Sequence, residues 1–148
     1  MMKQLTGLAG IVGFVAALFV AAPSATAQAI VSPLPTTWKV NVVADAAAKA
    51  QGRNDFVEYI YIESTSFSGD QICKLGFTVN SISVAPGSPT GTYNVSSSMT
   101  STNYGTITFT GTVSNTVMAG TLSWVTGGKT YTYIYNGVPF TPDPNAES

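Results

Sequence analysis

The side chains able to do chemistry are sparse in this chain. It has a single cysteine, Cys73, and no histidine, which removes the usual general base and the usual zinc or copper ligand together. Cys73 has no second cysteine to pair with inside the chain and no imidazole to activate it, so it reads as a small, buried, inert side chain. Serines and threonines abound, but none has a histidine or a convincing lysine partner to make it a nucleophile. Ahead of the C-terminal tail the acids are Asp45, Asp55, Glu58, Glu63 and Asp70. In FVEYIYI, residues 56 to 62, alternation groups Glu58 with Phe56, Ile60 and Ile62. If that face lines a barrel, the carboxyl can orient a ligand or act as an acid or base of raised pKa. If Val57, Tyr59 and Tyr61 point inward instead, Glu58 is a surface charge. Both faces are equally apolar or aromatic, and both assignments stay open. Without paired carboxylates, a nucleophile beside a base or a metal cluster, catalysis is not expected, and no catalytic residue, metal ligand or cofactor is assigned.

Aromatic side chains are the richer resource. GTLSWVTGGKTYTYIYNG, residues 120 to 137, sets a tryptophan and alternating tyrosines on either side of a glycine pair. Trp124, Tyr131, Tyr133 and Tyr135, with Trp38, Tyr93, Phe109 and Leu122, are the candidate ligand-binding residues. A tyrosine in a cavity offers an apolar body and a hydroxyl tip, which suits a small apolar or aromatic ligand. The same rings can instead fill the core of a small barrel, since eight strands leave little interior room.

These residues must be positioned by strands. Trp38 to Val43 reads as a first strand, followed by ADAAAKAQGR, where Asp45 can cap, the alanines favour helix and Gly52 can stop it. This places one short helical insert near residues 45–52. Further strands are expected at Phe56 to Ile62, briefly around Phe67, and at Phe77 to Val84, the last after an irregular passage containing Cys73. Thr92 to Met99, Thr106 to Val113, Thr116 to Val125 and Lys129 to Asn136 complete eight, with APGSPTG, residues 85 to 91, as a loop.

In Thr106 to Val113, Ile107, Phe109, Gly111 and Val113 share one face and four threonines the other. A two-residue turn at Ser114-Asn115 sets Ile107 opposite Leu122, Phe109 opposite Gly120 and Gly111 opposite Met118. A turn at Gly127-Gly128 sets Trp124 opposite Tyr131, Leu122 opposite Tyr133 and Gly120 opposite Tyr135. Both turns put the same residues of the shared strand on the apolar side. Glycines on that side permit sharp curvature. The fold class expected is all-β, an eight-stranded antiparallel up-and-down barrel, with a two-sheet sandwich as the alternative.

The N-terminal segment has Lys3, an apolar run from Leu5 to Ala22 and the small-residue tract ending Ala27-Gln28-Ala29. That order is expected of a secretory signal peptide, residues 1–27, with cleavage after Ala27 or, second, after Ala29. An extended lead-in (28–35), the barrel (36–137) and a proline-rich, disordered tail (138–148) follow. From residue 28 onward five basic side chains face seven acidic ones, without a basic cluster, so nucleic acid is not an expected partner. Threonine and serine on the outer faces of strands six and seven are unsuited to lipid, so the membrane is met only through the signal peptide.

Trp38 at the start of the first strand, the helical insert and the hairpins ending in GTLSW together resemble the calycin superfamily, in particular short lipocalin-like secreted bacterial proteins. Trp38 matches the tryptophan of the lipocalin G-x-W signature, with Thr36 in place of its glycine. The arginine that usually packs on that tryptophan from the last strand has no counterpart, Arg53 being the only arginine. The resemblance spans roughly residues 36 to 137 and implies an eight-stranded barrel with a ligand mouth. The expectation is a secreted or periplasmic, non-catalytic barrel that binds a small apolar or aromatic molecule. The alternative is a structural, protein-interaction or inhibitor module without a cavity, whose threonine-rich sheet faces pair with a protein partner.

Overall fold

The computed structural model describes residues 34–145; the segment read as a signal peptide lies outside the described residues. Alternation governs what is seen. Along β1 (Thr37–Ala44) the residues Trp38, Val40, Val42 and Ala44 are buried while Lys39, Asn41 and Val43 face outward. The same period of two runs through β2 (Phe56–Glu63), β3 (Ser66–Gly69), β6 (Tyr93–Ser101), β7 (Gly105–Val113), β8 (Met118–Thr126) and β9 (Lys129–Pro139). The two short pieces β4 (Asn80–Ser81) and β5 (Ser83–Pro86) complete one antiparallel sheet in the order β4-β3-β2-β1-β9-β8-β7-β6-β5.

The sheet curls into a nearly closed barrel. β4 and β5 are separated only by Ile82, and there the chain changes partners: β4 pairs with β3, β5 with β6. The nine strands therefore differ from the expected eight by the division of one. Side chains bridge the remaining seam, with Ser97 Oγ donating to the Ser81 carbonyl at 2.9 Å and Asn80 Nδ2 to the Ser98 carbonyl. The interior is packed with rings: Phe109 lies 5.0 Å from Phe67 and 5.5 Å from Tyr135, and Phe56 meets Tyr133 edge-on at 5.8 Å.

One hairpin is as expected and the other is corrected. Gly127 and Gly128, with φ of 58° and 74°, make the tight turn that pairs Trp124 with Tyr131, Leu122 with Tyr133 and Gly120 with Tyr135. The β7-β8 turn is longer than two residues. Ser114 N donates to the Val117 carbonyl at 2.9 Å while Ser114 Oγ accepts from Val117 N at 3.2 Å and Thr116 N at 3.3 Å. This closed loop delays β8, and the pairing becomes Ile107 with Trp124, Phe109 with Leu122 and Gly111 with Gly120. A slip of two residues keeps every side chain on its expected face but changes its neighbour.

Two helices interrupt the strands. α1 (Ala46–Ala50) occupies the expected insert, with Asp45 accepting from Ala48 N at 2.7 Å as its cap. α2 (Asp70–Lys74) forms where the sequence showed only an irregular passage. β9 continues to Pro139, pairing Val138 with Lys39 and Pro139 with Trp38, and the Phe140 ring lies 5.0 Å from Tyr59.

Candidate functional site

Both helices sit at the end of the barrel where β1 and β8 finish and β2 and β9 begin, and they are tied there by carboxylates. At the first, Asp55 Oδ1 accepts from Ala44 N at 2.9 Å and Asp55 Oδ2 pairs with Lys49 Nζ at 3.3 Å. Ala48 is buried under α1, and its carbonyl accepts from Arg53 N at 3.0 Å. The 45–55 excursion thereby lays the Arg53 guanidinium over two rings, its carbon 4.0 Å from the Tyr131 centroid and 4.8 Å from that of Trp124.

Glu58 organises the second helix from inside the barrel. The carboxylate is fully buried, which decides the strand's orientation: Glu58, Ile60 and Ile62 point in, Val57 and Tyr61 out. Glu58 Oε1 accepts from Gln71 N at 2.8 Å and Tyr59 N at 2.9 Å, and Oε2 from Ile72 N at 3.0 Å. Burial raises its pKa above 4.5, against the pull of these backbone donors, with Asp70 adding a small push upward. Both oxygens are thus engaged in capping the first turn of α2. Gly69 before the helix leaves the space that Ile72 fills: a Cβ there would stand 2.6 Å from Ile72 and 3.1 Å from the Glu58 carboxyl carbon.

Beyond α2, Ser101 Oγ holds the Leu75 carbonyl at 3.0 Å, and Phe77 meets Trp124 edge-on at 6.0 Å. Trp124 is further fixed by its Nε1 donating to the Tyr104 carbonyl at 2.6 Å. Between α2 and the barrel rim lies a cleft of about 300 Å³ lined by Phe56, Val57, Gln71, Ile72, Lys74, Leu75 and Trp124. Toward the opposite end, a second cleft of about 380 Å³ runs along the 89–93 loop to Leu34, Ser114 and Asn115.

The expected binding residues are distributed unequally over this geometry. Trp124 lines the first cleft, Tyr131 lies behind it under Arg53, and half-buried Tyr93 lines the second. Trp38, Phe109, Leu122, Tyr133 and Tyr135 are buried in the barrel interior and line neither. Trp38 Nε1 donates to the Pro35 carbonyl at 2.9 Å. The Tyr135 hydroxyl is pushed up to about 12 by burial. That of Tyr133 is raised by burial too, while the charge of Arg53 opposes the rise.

Arg53, Phe56, Ile72 and Leu75 were not anticipated. Arg53 and Leu75 lie outside the strands and carry no periodic signal, and only the tertiary fold brings them to one rim. Cys73 corrects the expectation of burial: it is exposed. Ile72 turns into the barrel, and its helical neighbour is directed about 100° away from it. We expect Cys73 in the native protein to react with a thiol reagent such as 5,5′-dithiobis(2-nitrobenzoate) as fast as in urea, within about tenfold; protection of several hundredfold would restore the buried reading. Among the described residues no group of three or more Cys, Asp or Glu is arranged to hold a metal.

The nearly closed antiparallel barrel is compatible with a calycin-like fold. Compared with models of known families, with curated proteins and with solved structures, the chain matches none.

Proposed function

We propose that this is an exported, non-catalytic β-barrel protein of calycin type that binds a small apolar or aromatic molecule at the rim beside α2. The reading rests on the apolar cleft between Phe56, Ile72, Leu75 and Trp124. Its volume of about 300 Å³ lies at the lower edge of ligand sites, which suits a compact ligand. The ligand enters the rim and not the barrel axis, because the interior tyrosines pack against Phe56 and Phe109. That same packing favours a second reading, a protein-interaction module with no small ligand.

The neutral fluorophore N-phenyl-1-naphthylamine separates the two. Its emission is expected to rise saturably with the purified protein, and Leu75→Trp, which fills the cleft while keeping the backbone carbonyl bonded to Ser101, to weaken binding at least about tenfold. Circular dichroism and thermal unfolding of the variant should match the parent. A fluorescence rise that does not saturate, or one equal in parent and folded variant, supports the interaction module instead.

A further inference from the structure

The rim carries one feature that an apolar cleft alone does not need. Arg53 is half-buried and does not itself line the cleft, but its guanidinium lies over the rings of Tyr131 and Trp124, the latter being a wall of the cleft. Three residues on, Phe56 forms another wall. Among the described residues there are two ion pairs, Lys49 with Asp55 and Lys74 with Asp70, and neither includes Arg53. The acids of its own segment are committed elsewhere, Asp45 to Ala48 N, Asp55 to Ala44 N and Lys49. Of the acids at α2, Glu58 has both oxygens on backbone N–H groups and Asp70 is paired with Lys74.

The guanidinium carbon of Arg53 lies over the rings, and its side chain is in no ion pair among the described residues. The N–H donors of a guanidinium lie in its plane and remain available at the edge, in the fork that matches a carboxylate. The backbone bond from Arg53 N to the Ala48 carbonyl and the capped turn of α1 fix the backbone from which the side chain reaches the rings. Lys74, whose ammonium pairs with Asp70 3.1 Å away, lines the cleft without adding net charge. Lys129, at the start of β9, is exposed and in neither ion pair, so Arg53 is distinguished by its place over the rings.

Resting on the cleft reading above, we infer that the ligand is an apolar anion, an arene or short alkyl chain bearing one carboxylate, whose apolar body fills the slot and whose carboxylate is held by Arg53. A neutral molecule of the same shape fills the slot and leaves the fork unused. Charge-assisted, bidentate hydrogen bonds to a carboxylate then give the discrimination.

The test uses two displacers of bound N-phenyl-1-naphthylamine that differ in the polar end only, 1-naphthaleneacetate and 1-naphthaleneethanol. The acetate is expected to displace the probe at a concentration roughly tenfold lower than the alcohol. In Arg53→Met, which keeps an apolar stem over the rings, that preference should vanish while displacement by the alcohol is unchanged. Arg53→Lys keeps the charge without the fork and should retain part of the preference. Equal displacement by acetate and alcohol in the parent protein overturns the anion inference and leaves the apolar cleft standing. So does a preference that survives Arg53→Met. Failure of the probe and both displacers to bind overturns the cleft reading and this inference together.

Discussion

Alanine at Gly120 is expected to destabilise the protein by about 3 kcal/mol, at the upper end of what overpacking costs, as read by urea unfolding. Gly111 and Gly120 face each other across β7 and β8, and each lacks the atom that would collide with the other strand. A Cβ at Gly120 would meet the Thr110 carbonyl oxygen, the Gly111 Cα at 2.6 Å and the Tyr135 hydroxyl at 2.7 Å. At Gly111 it would meet the Ala119 carbonyl oxygen, the Tyr135 hydroxyl at 2.5 Å and the Gly120 Cα at 2.8 Å. Rings can shift but paired backbone cannot, so combining Gly120→Ala with Tyr135→Phe should recover only a minor part of the loss. Full recovery would mean that the glycines serve the tyrosine alone and not the close approach of two bent strands. Equal stability of Gly120→Ala and the parent would remove the steric account altogether.

Removing the carboxyl of Glu58 is the second large effect. Glu58→Ala leaves the N–H groups of Gln71 and Ile72 without their acceptor and opens a cavity in a fully buried site. A loss of about 3 kcal/mol is expected, with α2 released from the barrel. Glu58→Gln keeps the volume but turns an amide NH₂ toward Ile72 N–H, and about 1 kcal/mol is expected. The pH dependence separates these roles. Because the folded-state pKa is raised above 4.5, the unfolded chain releases this proton first, and stability falls as pH rises from about 4.5 toward the folded value. Urea unfolding at intervals between pH 4 and 8 should show that fall in the parent and a flatter profile in Glu58→Gln. Identical profiles would mean that the burial of the carboxylate is fully balanced by its three backbone donors.

These two sites show how far reading residues in order can go. The alternation of FVEYIYI established that Glu58 shares a face with Ile60 and Ile62 but left open which face is inside. Sealing the barrel decided that, because α2 needs an acceptor for its first N–H groups and Glu58 is the buried carboxylate at that point. Similarly, the apolar placement of Gly111 and Gly120 was legible from period two, whereas their mutual contact followed from the Ser114 loop, which shifts β8 by two residues.

The strands, the short α1 insert, the Gly127-Gly128 hairpin and the inward set Trp38, Phe109, Leu122, Trp124, Tyr133 and Tyr135 are determined by local pattern, because strand periodicity and turn chemistry act over a few residues. Three features were decided only in tertiary structure: the division of the expected Phe77 to Val84 strand at Ile82, the helix at Asp70–Lys74, and the rim that assembles Arg53, Phe56, Leu75 and Trp124. Each depends on partners a dozen or more residues away in the chain. Barrel closure alone brings such residues together, and neither propensity nor periodicity carries information across that distance.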